Sequence, residues 1–156
     1  MKNKLKQLGV LLLILGWMAL IFGFSSQNAE ASGGVSALIS SPIAKLITAG
    51  RNLSDEAYNQ LYFRVDLVVR KCAHFSEYAI LGGLLLVFFS KLTKKRYGVA
   101  WLCGTVYAVL DEWHQAYSPG RSCEVRDVLL DSAGVICGIV LIVCIGKIRR
   151  KHHVYH

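Results

Sequence analysis

The chain has 156 residues, 54% of them hydrophobic and 18% charged, with a formal net charge of +8. That length suits a single domain, here 1–156, and the apolar excess sets it apart from an ordinary soluble protein. The positive charge does not point to nucleic acid, because it is gathered at the ends of apolar runs.

In chain order, Lys2, Lys4 and Lys6 precede Leu8–Phe24, 17 residues without a charge. A helix needs about 20 residues to cross roughly 30 Å of hydrocarbon, so a first span is expected over residues 5–24. A basic start, an apolar run and Ala29-Glu30-Ala31 also allow a cleavable signal, but the run is long for one. Residues 25–69 read as an outer loop. Its first part is rich in Ser, Gly and Ala, with Pro42 as a breaker. Ser54, followed by Asp55 and Glu56, then marks a helix start: the hydroxyl can cap, and the acids suit the positive helix end. Tyr58, Leu61, Tyr62, Val65 and Val68 recur at helical spacing. They predict an amphipathic helix, lying on the outer membrane surface or packed as a lid on the other helices.

A second span is expected over 70–90, a third over 97–117 stopped by Ser118-Pro119-Gly120, and a fourth over 127–146. Gly134 and Gly138 form a Gly-x-x-x-Gly face suited to close helix contact. Lys91, Lys94, Lys95 and Arg96 separate the second and third spans, and Lys147, Arg149, Arg150 and Lys151 follow the fourth. With the first three lysines these make 11 of the 18 basic residues and none of the 10 acidic ones. Purely basic alternate connections predict four spans with both termini in the cytoplasm. The expected fold is an all-α integral membrane protein: four transmembrane helices and an outer amphipathic helix between the first two. Cys103, Cys137 and Cys144 read as small packing residues, and Cys72 and Cys123 fall on the same outer side, where a pairing is open.

Polar residues interrupt the spans at one level. Counted from the inner ends at about 1.5 Å per residue, Glu77 lies about 20 Å up, His74 about 24 Å, Asp111 about 21 Å and Asp131 about 24 Å. Gln115 and Asp127 lie a turn higher, and Ser25, Ser26 and Gln27 end the first span just above. Lys71, His74 and Tyr78 share a helix face, as do Asp111 and Gln115, and Asp127 and Asp131. Ionisable groups inside spans are costly and usually face one another or water, so a polar chamber opening outward is expected. Arg121 and Arg126 would sit above it, suited to an anion. The alternative is an ion-pair network that only fixes helix packing.

These residues carry a resemblance. Phe24-Ser25-Ser26-Gln27, Arg70-Lys71-x-x-His74-Phe75-x-Glu77-Tyr78, Asp111-Glu112-x-x-Gln115 with Pro119-Gly120-Arg121, and Asp127-x-x-x-Asp131-x-x-Gly134 resemble the VanZ-like family of small bacterial membrane proteins. The last motif often has Asn where this chain has Asp131, so the resemblance transfers no role to that position. It implies a cell-envelope protein of the bacterial membrane that lowers susceptibility to teicoplanin, and it supplies no reaction.

Three functions fit these residues. In the first, the chamber binds or modifies a lipid or lipid-linked wall precursor, with Ser26, Gln27, Lys71, Tyr78, Gln115, Arg121, Arg126, Asp127 and Asp131 as the binding set. In the second, the chain is a hydrolase or transferase on such a lipid, with His74 as general acid or base, oriented by Glu77 or Asp111, and Glu112 beside them. A divalent metal on Asp111, Glu112, Asp127 and Asp131 would belong to this second reading and is the less favoured form of it. The third is a small transporter; against it, the inner stretches Leu84–Phe89 and Ile139–Ile145 offer no polar path.

Overall fold

The structure, a computed structural model, describes residues 2–26, 29–117 and 124–154. Five helices follow in order: α1 (Lys2–Ser25), α2 (Ala29–Thr48), α3 (Asp55–Phe89), α4 (Arg96–Gln115) and α5 (Val125–Val154).

α1 is apolar on nearly all sides, as a helix bathed in lipid is. Only a narrow stripe, Ile14, Ile21 and Ser25, is buried, and it packs on α3 and α4. Ser54 caps α3 as expected, its Oγ accepting from the Ala57 N–H at 3.3 Å.

Two expectations for residues 25–69 are corrected. Residues 29–48 are not loop but the helix α2, with Pro42 inside it. Proline removes one intrahelical hydrogen bond, yet Ser36, Ser40, Ala44 and Thr48 recur every four residues and give the helix one small-residue face. Ser36, Ser40 and Ala44 on that face are buried, and α2 packs on α3. Nor is the amphipathic segment separate from the second span. Residues 55–89 form one helix of 35 residues, about 52 Å long. No Pro or Gly interrupts 55–81, and an Asp66–Arg70 ion pair of 2.9 Å bridges the expected boundary. α3 thus exceeds a bilayer's hydrocarbon by roughly 20 Å, and α2 packs along the excess. α5 also runs beyond the expected 127–146.

α3 and α5 make the most extensive helix contact, and glycine is the reason. A Cβ added at Gly138 would lie 1.7 Å from the Ala79 carbonyl oxygen, and one at Gly82 2.3 Å from that of Val135. The two backbones therefore touch, as the Gly134–Gly138 spacing predicts. α4 packs across both helices, and Tyr78, Leu81, Leu85, Ala108 and Val135 form the centre of the core.

Among the described residues, three helices are long and apolar enough to cross a membrane: Asn3–Ser25, Asp55–Phe89 and Val125–Ile148. α4 is not among them. It carries Arg96 at one end and Asp111, Glu112, His114 and Gln115 at the other.

Candidate functional site

The α3–α5 seam and α4 bring the polar residues of three helices to one place. From α3, buried Tyr78 donates its hydroxyl to Asp111 Oδ2 of α4 at 3.2 Å. One helical turn on, Gln115 donates to the same oxygen at 3.3 Å. Glu112 is buried beside them, and its Oε1 accepts the Glu124 backbone N–H at 2.8 Å, which ties the end of α4 to the start of α5. Asp131 on α5 is 3% exposed and lies within the electrostatic reach of Asp111, Glu112, Asp127 and Glu77.

Positive charge is scarce there. Lys71 pairs with Asp127 at the outer edge, where both side chains stay partly exposed. His74 Nδ1 lies 3.8 Å from Glu77 Oε2, one turn along α3. Arg126 is exposed. Against these stand five carboxylates, and the deeper two are incompletely partnered: Asp111 Oδ1 and Asp131 Oδ1 are buried with no hydrogen-bond donor among the described residues.

The expected set is therefore brought together from three helices: Lys71, His74, Glu77 and Tyr78; Asp111, Glu112 and Gln115; Asp127 and Asp131. Ser26 ends α1, its hydroxyl donating to the Gly23 carbonyl at 2.9 Å. Gln27, Arg121 and the Cys72–Cys123 pairing lie outside the described residues, as do Ser118, Pro119 and Gly120. Among the described residues no three His, Cys, Asp or Glu side chains are grouped to hold a metal ion.

Several neighbours of the site were not expected. The Trp17 indole of α1 donates to the Glu77 carbonyl at 2.9 Å, and the Tyr107 hydroxyl donates to the Met18 carbonyl at 2.6 Å. Both fix α1 against the cluster. Tyr107 lies four residues before Asp111, a spacing that could have flagged it. Below Asp131, the Trp101 indole and Thr105 hydroxyl meet the Ser132 hydroxyl at 3.0 and 2.8 Å.

Apolar helices of spanning length, packed around buried carboxylates at one level, define a membrane protein. The VanZ/LLP1 family model matches residues 10–146, nearly the whole chain, and the chain belongs to that family. No curated protein and no solved structure matches it.

Proposed function

We propose that this VanZ-like protein acts in the bacterial cell envelope, where its polar cluster holds the headgroup of a lipid or lipid-linked wall precursor and so lowers susceptibility to teicoplanin-type lipoglycopeptides. In this reading α1, the inner part of α3, α4 and α5 cross the membrane, with both termini in the cytoplasm and the cluster in the outer leaflet. The basic connections favour that orientation.

One observation carries the reading: Asp111 and Asp131 are each buried with an oxygen that no donor among the described residues reaches. Such groups cost stability, and apolar packing would hold three helices together as well. A ligand with hydroxyl or ammonium donors would satisfy them, while Lys71 and Arg126 above would meet its phosphate.

A second reading rests on His74 and Glu77. Their 3.8 Å separation suits a carboxylate that orients an imidazole for general acid–base work on the bound lipid. No covalent step is assigned.

The test is susceptibility to teicoplanin and vancomycin in a susceptible Gram-positive host. The wild type is compared with Asp111→Asn and His74→Ala at equal membrane levels. Protection by the wild type that both variants lose supports the site. Loss with Asp111→Asn alone favours binding over acid–base chemistry. Equal protection by all three makes the cluster structural.

A further inference from the structure

At the opposite end of the same helices a groove of about 390 Å³ opens between the last turn of α3, residues 142–147 of α5 and the first turn of α4. The volume is that of a small-ligand site. Its inner walls are Leu86, Val87, Ile142 and Val143, and its rim is Lys91, Arg96 and Lys147. Val143 and Lys147 share one face of α5, and Ile142 and Gly146 the adjacent one. Apolar surface thus runs up the helices and ends in three cations.

Among the described residues no acid neutralises those cations. The sequence has no Asp or Glu between Glu77 and Asp111, and none after Asp131. The ion pairs among the described residues, Asp66–Arg70, Lys71–Asp127 and His74–Glu77, all lie in the other half of the helices. Among the described residues the side-chain partner of Arg96 is its neighbour: it donates to the Tyr97 hydroxyl at 3.0 Å and lies 4.9 Å over that ring. A guanidinium has five N–H donors, so most of its capacity is unspent.

Local electrostatics point the same way. α3 starts with a serine cap and two acids, whereas α4 starts with no side-chain cap and no acid in its first turn. Lys94, Lys95 and Arg96 instead place positive charge on a helix end that is already positive, an arrangement an anion relieves. Gly146 lines the groove, and the space beside it is open: a Cβ there would meet nothing within 4 Å.

We infer that this groove is a binding site for one anionic phospholipid, its phosphate held by Lys91, Arg96 and Lys147 and an acyl chain laid along Leu86, Val87 and Ile142. Cationic recesses between spanning helices hold acidic headgroups in this way. The groove is separate from the carboxylate cluster: Asp131 and Lys147 lie about 24 Å apart along α5. The inference requires only that this end of the helices meets lipid, so it stands or falls independently of the proposed function.

The experiment counts retained lipids by native mass spectrometry, after release of the full chain from nanodiscs of phosphatidylcholine with and without phosphatidylglycerol. The wild type is expected to retain one phosphatidylglycerol in preference to phosphatidylcholine. Each cation removed weakens that preference about fivefold, so Lys91→Gln with Arg96→Gln and Lys147→Gln lowers it roughly a hundredfold. Gly146→Leu fills the groove without changing charge, and retention falls while the melting temperature holds. Lys4→Gln with Lys6→Gln removes charge from α1, away from the groove, and leaves retention unchanged. Equal retention of the two lipids overturns the inference, as does full retention by Gly146→Leu. An equal loss in the α1 variant reduces the effect to general surface attraction and overturns it too. Displacement of the lipid by inorganic phosphate alone would make the ligand a small anion and overturn the lipid assignment.

Discussion

Asp66 and Asp131 are both buried carboxylates on helices of spanning length, at 5% and 3% exposure, and they are opposite cases. Asp66 is fully supplied. Ser36 and Ser40 of α2 donate to one oxygen at 2.5 and 2.9 Å, and Arg70 holds the other at 2.9 Å. Asp131 has a buried oxygen with no donor among the described residues and four carboxylates within electrostatic reach. The first arrangement closes on itself and ties α2 to α3. The second is left open, and an ionisable group in a span that its neighbours leave open is a candidate place for a ligand or chemistry.

The comparison breaks most visibly at Asp66. Asp66→Ala takes away the carboxylate that pairs with Arg70 and accepts from Ser36, while Ser40 keeps the Ser36 carbonyl at 2.9 Å; breaking such a pair costs about 3–5 kcal/mol. Thermal unfolding in detergent should show a large fall in midpoint, with α2 exchanging amide hydrogens fastest. A loss under about 1 kcal/mol, the range of exposed pairs, would mean that the Asp66 network does not hold α2, and the contrast with Asp131 would collapse.

Next in size is the seam that carries Asp131. Gly138→Ala pushes a methyl group into the Ala79 carbonyl, and such overpacking costs about 1–3 kcal/mol. Gly16→Ala is the control, since its Cβ meets nothing within 4 Å, and inside a helix the change should be neutral or stabilising by up to about 1 kcal/mol. Equal melting temperatures for the two variants would show that α3 and α5 are not in backbone contact.

What could be read from the chain follows from how local each signal is. The Gly134–Gly138 seam and the Ser54 cap are spacings within one helix, and the level of Glu77, Asp111 and Asp131 comes from counting along each of three helices separately; the structure brings those three helices together. The Asp66 network is not local: its partners Ser36 and Ser40 lie 30 and 26 residues away, and serine in a Ser/Gly/Ala stretch looks like loop. Pro42 adds to the likeness, because proline's local penalty is visible in the sequence whereas the docking of α2 on α3 is tertiary. The division at residue 70 failed for a related reason. Polarity changes there, but no residue breaks the helix, and a change of environment is not a change of backbone.

A smaller effect, with the sign reversed, is expected at Asp131. Asp131→Asn keeps the size of a buried side chain set among four carboxylates and gives it N–H donors for them, so stability should hold or rise by about 1 kcal/mol. Asp66→Asn should fall instead, because Arg70 loses its charged partner. Paired melting curves for the two variants give the cleanest measure of the difference between the sites. If Asp131→Asn destabilises as much as Asp66→Asn, Asp131 is a structural partner, and its open oxygen no longer argues for a ligand.

The smallest stability effect is expected at Lys71, where it separates two roles for the outer edge. The Lys71–Asp127 pair leaves its side chains 46% and 33% exposed. Exposed pairs contribute about 0–1 kcal/mol and are screened by salt. Lys71→Gln should therefore shift the melting temperature little, and raising the ionic strength should narrow what difference there is. A rim cation that meets a phosphate has a larger part to play, because a charge-assisted contact to a bound anion is about twice as strong as a neutral one. The variant should then lose protection against teicoplanin while keeping its fold and its membrane level. A variant that keeps both protection and stability would leave Lys71 as an ordinary surface lysine. One that unfolds would move the pair to the side of Asp66, as a bond that holds α5 against α3, and the boundary between the closed and the open region would run one helical turn deeper.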